Sequence, residues 1–453
     1  MNPGAAGPAG PARAVPFAEA FRFWLKLGFV SFGGPAGQIA IMHRELVETR
    51  RWISERRFLH ALNYCMVLPG PEAQQLATYI GWLLHGTWGG IVAGALFVLP
   101  SLAILVGLSW AYLVFGQAPV VAAILAGVKP AVVAIVLAAM LRIGRRALRG
   151  PFHAAIAAAA FVALAAFSVP FPLVIALAAV AGLAGRRFAP APAHLAPAPG
   201  APAHEPAVID DGTPPPAHAN PSVAKFAAAA AAGCALWAAS YAALLAAFGP
   251  ESDYAGMARF FSQAALITFG GAYAVLPYVV DSAVGQYGWA TLGQMIDGLA
   301  LGETTPGPLI MFVAFVGFVG AWSKEALGPE ALVAAGMLGA FVATWFTFLP
   351  SFVFILAGGP WVERTRDDVH LEGPLSAITA AVVGVIGSLA AFFAWHVFWP
   401  GASAANPFPG TPDLPSVAIA AVALGLLVSN RAGVITVIAG AALAGIALRA
   451  LGA

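Results

Sequence analysis

Apolar runs alternate with short stretches of Gly, Pro and charge along the chain, and the runs at the start are too short to cross a bilayer. Residues 17–32 are apolar, with Glu19, Arg22 and Lys26 near their start, and Gly33-Gly34-Pro35 interrupts them. A second short helix is expected over residues 35–47. Ser54 has the chemistry of an N-cap, with Arg57 following, and predicts a helix to Leu68. Pro69 and Pro71 stop it, because proline lacks an N–H and clashes with the preceding turn. Pro71 in turn suits the first turn of a new helix, to about Leu84. Fuller apolar runs follow at residues 89–115 and 120–141. A basic turn with Arg142, Arg145, Arg146 and Arg149 comes next, then runs at 152–167 and 173–183, split by Pro170 and Pro172.

The opening pattern recurs. Phe269-Gly270-Gly271 follows Phe32-Gly33-Gly34 at 269 − 32 = 237 positions. Trp289 repeats Trp52, Pro306-Gly307-Pro308 repeats Pro69-Gly70-Pro71, and Arg259 repeats Arg22 at that same offset. Beyond the second Pro-Gly-Pro the offset grows: Leu349-Pro350-Ser351 follows Leu99-Pro100-Ser101 at 349 − 99 = 250 positions, and Ala381-Val382-Val383 keeps that register with Ala131-Val132-Val133. The chain is two copies of one unit, each broken twice by Gly and Pro within apolar sequence.

The expected divisions are a disordered tail at 1–16, a first repeat at 17–185, a Pro/Ala/His-rich disordered linker at 186–222, a lone apolar helix at 223–248 and a second repeat at 253–453. The lone helix has no counterpart in the first repeat. The linker histidines His194, His204 and His218 are irregularly spaced and read as solvated linker rather than a metal site.

Charge orients the repeats. The turn at 43–57 carries Arg44, Arg50, Arg51, Arg56 and Arg57, while its mate at 280–294 has no Lys or Arg and one acid, Asp281. Lys and Arg mark the cytoplasmic side, so the two turns should face opposite sides. If each Gly/Pro-broken pair is a re-entrant hairpin, the basic turn at 142–149, Arg186-Arg187, Arg364, Arg366 and Arg431 all fall in the cytoplasm. If the first two pairs span instead, the 142–149 turn lands outside. The expected architecture is therefore an all-α polytopic membrane protein with two inverted-topology repeats. It has nine full spans and four re-entrant half-helix hairpins, and its N-terminus lies in the cytoplasm.

Composition agrees with the membrane reading. Hydrophobic residues make up 60% of the chain and charged residues 9%, against about 25% charged in soluble domains. A net charge of +2 gives no footprint for nucleic acid. Two cysteines, Cys65 and Cys234, make no disulfide framework. No metal or cofactor motif is present, and neither a phosphate-binding ATPase loop nor a nucleophile–histidine–acid set marks a pump or a lipid-phosphate enzyme.

A half-helix that starts inside the membrane offers free N–H groups and a positive dipole end, which is an anion site without formal charge. The starts at Pro71 and Pro308 are the candidates, with the break glycines Gly33, Gly34, Gly70, Gly270, Gly271 and Gly307 beside them. Ser31, its mate Thr268, Gln74, Gln75, Thr304 and Thr305 add neutral hydrogen-bonding groups. Lys129 stands mid-span in Gly127-Val128-Lys129-Pro130. A charge at the bilayer centre costs at least about 2.5 kcal/mol, which marks a pathway or a pair. Its expected partner is Glu72 or a bound dianion. Glu72 and Glu303 could carry protons, gate the path or cap helix starts. Arg22 and Arg259 could be anion-attracting mouths or snorkelling anchors.

Phe32-Gly33-Gly34-Pro35, Leu68-Pro69-Gly70-Pro71 with Gln75, and Thr305-Pro306-Gly307-Pro308 resemble the two signature halves of the chromate ion transporter family, in its long two-domain form. The resemblance implies efflux of chromate from the bacterial cytoplasm across the inner membrane, driven by the proton-motive force. It also implies a relation to sulfate, another tetrahedral dianion. Asymmetries such as Ala272 for Pro35 and Gly302-Glu303 for Cys65-Met66 leave open which half supplies which part of the site. A homodimer is also left open.

Overall fold

The computed structural model describes residues 14–32, 34–148, 150–167, 169–185, 207–214, 216–269, 272–364, 372–402 and 406–451. Gly33, Gly270, Gly271, most of the N-terminal tail, residues 186–206 of the linker, and Arg149 and Arg366 lie outside the described residues.

The first repeat comprises α1 (Phe17–Val30), α2 (Gly34–His43), α3 (Glu55–Val67), α4 (Glu72–Phe115), α5 (Pro119–Ala147), α6 (Pro151–Phe167) and α7 (Phe171–Ala184). After α8 (Val223–Phe248), the second comprises α9 (Asp253–Ile267), α10 (Ala272–Asp281), α11 (Leu292–Thr304), α12 (Phe312–Ser323), α13 (Leu332–Arg364), α14 (Glu372–Phe398), α15 (Leu414–Val428) and α16 (Val434–Ala450). Among the described residues the only extended pairing is an isolated bridge between Ile53 and Ile209. The protein is all-α, and α4, α5, α8, α13 and α14 are long and apolar enough to cross a membrane. The runs expected to be full spans at α6, α7, α15 and α16 have 17, 14, 15 and 17 residues, short of the roughly 20 that a crossing needs.

Local hydrogen bonding repeats with the sequence. Arg50 N–H donates to Glu45 O at 2.9 Å and Tyr287 N–H to Ser282 O at 2.9 Å; Trp52 N–H donates to Leu46 O and Trp289 N–H to Ala283 O, both at 2.8 Å. Each of these pairs stands at the offset of the Phe-Gly-Gly motifs. Ser54 caps α3 by accepting from Arg57 N–H, and its mate Thr291 caps α11 by accepting from Gln294 N–H. The half-helix opened at Pro71 runs to His85-Gly86, where non-helical backbone kinks α4 before the longer part begins.

Equivalent helices meet antiparallel. Gly144 of α5 lies against Val383 of α14, and Gly387 of α14 against Met140 of α5. Likewise Gly90 of α4 meets Leu356 of α13, and Gly94 meets Phe352. The repeats also exchange their ends: α15 and α16 pack on α5, while α6 and α7 pack on α14. This exchange buries one continuous core, with Val132, Val133, Val382 and Val385 inaccessible at its centre. In contrast, α8 buries none of its residues and leans on α13 and α9, with Trp237 Nε1–H donating to Ser262 Oγ at 2.8 Å.

The linker differs from expectation over its last part. Residues 207–214 and 216–222 dock on the first repeat. Ile209 is buried, its N–H donates to Trp52 O at 3.0 Å and its carbonyl accepts from Ser54 N–H at 2.9 Å. His218 Nε2 reaches Trp82 O at 2.8 Å. An Ile set among Pro, Ala and Asp finds a groove beside Ile53, and two backbone bonds fix it there.

Candidate functional site

The four breaks converge in two crossed contacts. Gly70 N–H donates to Thr268 O at 2.7 Å, and Gly307 N–H donates to Ser31 O at 2.8 Å. Donor and acceptor belong to different repeats each time, and the two bonds are mates of one another. Ser31 and Thr268 end α1 and α9 with matching backbone angles, ψ 81° and ψ 88°. Gly70 and Gly307 have φ of 125° and 102°, which residues with a side chain rarely adopt. A Cβ on Gly70 would sit 2.7 Å from Gln75 Nε2 and run into Ser351 Oγ; one on Gly307 would sit 2.7 Å from Ser101 Cβ. Ser101 and Ser351 are themselves mates, each following the proline inside α4 and α13.

The junction is polar and sealed. Ser31, Gln38, Gln74, Gln75, Ser101, Thr268 and Ser351 are all buried to within 1% of complete. Gln38 Nε2 donates to Gly307 O, and Gln75 Nε2 donates to Pro69 O at 2.8 Å. Thr268 Oγ1 donates to Ala264 O at 2.5 Å and Thr305 Oγ1 to Gly302 O at 2.9 Å. Pro71 and Pro308 stand as N-caps without a side-chain cap, so the first N–H groups of α4 and of the short turn Leu309–Met311 are left uncapped by side chains. Among the described residues, Ser31 Oγ, Ser101 Oγ, Gln38 Oε1, Gln74 Oε1, Gln75 Oε1 and Glu72 Oε2 meet no hydrogen-bonding partner. Most buried polar groups are paired, so the four orphans on Ser31, Ser101, Gln38 and Gln75, each beside Gly70 or Gly307, mark a place built for something other than packing. Gly34 opens α2 with φ 69°, beside this junction in sequence.

The charged candidates separate. Lys129 does not pair with Glu72: its Nζ lies 3.5 Å from Asp297 Oδ2 on α11, and its side chain is 35% exposed while that of Asp297 is 5% exposed. Tyr112 O–H donates to the same Asp297 oxygen at 3.0 Å. The exchange of repeats explains this, because it lays α11 against α5 and α4. At the other end of the molecule Arg57 Nη2 lies 3.6 Å from Glu363 Oε2, and Tyr79 O–H donates to Glu363 Oε1 at 2.6 Å. Glu303 is buried and accepts from Tyr273 O–H at 2.6 Å; Arg142 lines a cavity of about 10 Å³ with them, room for one water. Arg22 and Arg259 are exposed on α1 and α9 and do not enter the junction.

Sequence reasoning missed Gln38, Ser101, Ser351, Asp297 and the three tyrosines. The signal for the serines was present, since both copies keep a Ser after the in-helix proline. For Asp297 it was a lone carboxylate in an apolar run, the same anomaly that singled out Lys129.

Discontinuous helices that meet between two repeats around a buried polar junction define the class: a polytopic helical membrane transporter of the repeat type. The family model for chromate transporters matches residues 18–183 and 255–446. The chain belongs to that family, whose members are transporters and not enzymes. It is 35% identical over 378 residues to a chromate transport protein of Pseudomonas aeruginosa, covering 82% of this chain and 80% of that protein. It is 27% identical over 448 residues to a chromate transport protein of Cupriavidus metallidurans, covering 98% and 96%. An uncharacterized transporter of Bacillus subtilis matches at 34% over 136 residues, which is 30% of this chain but 68% of that protein. No solved structure matches the chain.

Proposed function

We propose that the protein is a secondary transporter that exports chromate from the cytoplasm across the cell (inner) membrane, driven by the proton-motive force, through a site between two inverted repeats. The observation that carries the site is the crossed pair of backbone bonds, Gly70 to Thr268 and Gly307 to Ser31. Each ties a break of one repeat to a break of the other, so relative motion of the repeats must open both. Binding at the meeting point of half-helices is how repeat transporters present one site to two sides in turn. The antiparallel packing of α5 on α14 and of α4 on α13 supports inversion. The basic turn before α3 supports a cytoplasmic side for that turn and for the N-terminus. Chromate itself comes from the two named relatives.

Uncapped N–H groups and hydroxyls can replace water around a tetrahedral dianion, and sulfate has the same charge and shape. Glu72 and Glu303, buried beside the two breaks, are the groups placed to carry the coupled proton. In this reading Lys129 belongs to an ion pair that holds α11 to α5, and Arg22 and Arg259 are anchors. One chain supplies both halves of the site, so a second copy is not required.

Inside-out membrane vesicles test this. Energised vesicles should take up chromate, a protonophore should abolish the uptake, and sulfate should compete. Uptake indifferent to the protonophore would remove the coupling, and no uptake above that of vesicles lacking the protein would remove the export reading.

A further inference from the structure

The crossed junction contains two half-sites that share a backbone but differ in what their side chains leave free. Around Gly307 stand Ser31, Ser101 and Gln38, all from the first repeat; around Gly70 stand Thr268 and Ser351 from the second, with Gln75. In the Gly70 half, Thr268 has given its hydroxyl hydrogen to Ala264 O, and Ser351 Oγ is engaged as an acceptor from Gln75 Nε2 at 3.5 Å. In the Gly307 half, neither Ser31 Oγ nor Ser101 Oγ has a partner among the described residues, although both residues are 0% exposed.

We infer that the Gly307 half, with Ser31 and Ser101 as hydroxyl donors, is the oxyanion-binding half of the junction, and that the Gly70 half is its structural counterpart. This rests on the proposed transport reading and adds a division of labour to it. A tetrahedral oxyanion offers only acceptors, so it needs donors from the protein. Two buried hydroxyls with no acceptor of their own can each turn a hydrogen toward it, and the uncapped N–H groups after Pro308 lie next in the chain. Gln38 is a positioning residue: its Nε2 holds the Gly307 carbonyl and so fixes the peptide between the two serines. The mates cannot serve equally, because Thr268 would have to give up its bond to the α9 backbone to turn toward a ligand.

The test is direct binding beside transport. Purified full-length protein is titrated with chromate calorimetrically, and the same variants are assayed in vesicles with abundance measured. A hydrogen bond to a charged group is worth about 1.5–3 kcal/mol, so Ser31→Ala and Ser101→Ala should each weaken chromate binding about 10–100-fold. Thr268→Val and Ser351→Ala should change it less than about threefold by the same conversion. Ser31→Thr copies the residue at the mate, whose hydroxyl is spent on its own helix, and should lose affinity as Ser31→Ala does; a merely structural loss in Ser31→Ala would show as low abundance instead. Equal losses at both pairs of mates would overturn the division, and so would full affinity in Ser31→Ala and Ser101→Ala. Wild-type protein that binds chromate but does not move it would defeat the export reading alone, whereas wild-type protein that does not bind chromate would defeat the half-site.

Discussion

The two repeats hold the same backbone and put different chemistry on it. Their turns before α3 and α11 share three backbone bonds at matching positions, yet one carries Arg44, Arg50, Arg51, Arg56 and Arg57 and the other carries no Lys or Arg. Their breaks match in backbone angle, yet among the described residues Ser31 leaves its hydroxyl unpartnered where Thr268 spends it. At the far ends of α4 and α13 the contrast takes another form. In the second repeat the hairpin helix α11 supplies an acid, Asp297, to Lys129 and Tyr112. In the first, α3 supplies a base, Arg57, to Glu363. Backbone duplication fixes where helices break and cross. In the proposed reading, divergence of side chains decides which end faces the cytoplasm and which half meets the substrate.

The largest effect is expected where the backbone is shared. Gly70→Leu and Gly307→Leu each force a side chain into Gln75 and Ser351 or into Ser101, at a φ that a branched residue does not adopt. Both should abolish chromate uptake in vesicles. Normal uptake in either would mean that the crossed junction is not on the transport path.

Next comes the contrast in charge. Single cysteines placed near Thr49 and Gln286 should react with an impermeant reagent from opposite sides of the membrane, Gln286 from outside intact cells. Equal reaction of both positions would break the inverted arrangement.

A smaller effect should separate the two end clusters from the junction. Removing one partner of a buried pair costs about 3–5 kcal/mol, and less here because Lys129 is a third exposed. Lys129→Ala should therefore lower the melting temperature of the purified protein, and Lys129→Ala combined with Asp297→Asn should recover part of it. A Lys129→Ala protein of wild-type stability that no longer transports would return Lys129 to the substrate path.

The smallest change is expected at the docked linker. Ile209→Ala should destabilise by about 1 kcal/mol, below the 2–5 kcal/mol of a core truncation, because the segment lies at the edge of the first repeat. Chromate transport should persist. A thermal melt reads the shift; no shift would mean that the two backbone bonds to Trp52 and Ser54 hold the segment without its side chain.

Much of this was legible in the chain. Helix-stopping prolines and the Ser54 cap act locally, so α3 falls within a residue or two of expectation, and α8 has the bounds read from its apolar run. The register of the repeats stays legible because Gly70 and Gly307 hold a positive φ that other residues rarely adopt. What was not legible depends on which helices meet. The sequence offers Lys129 either Glu72, another anomalous charge of the same repeat, or a bound dianion, and only the exchange of repeats brings in Asp297. Gln38 looked like an ordinary polar residue in a short helix until Gly307 arrived from the other repeat beside it. Ile209 lay in a sequence too rich in Pro and Ala to suggest a fixed partner.

The claim at the centre is that one oxyanion sits where the two repeats cross. The most direct measurement is the position of bound chromium, from its anomalous scattering in crystals grown with chromate. A peak that puts the chromate oxygens within hydrogen-bond reach of Ser31 and Ser101, beside Gly307, is the expected result. A peak beside Lys129, with the crossed bonds at Gly70 and Gly307 intact and nothing between them, would contradict it.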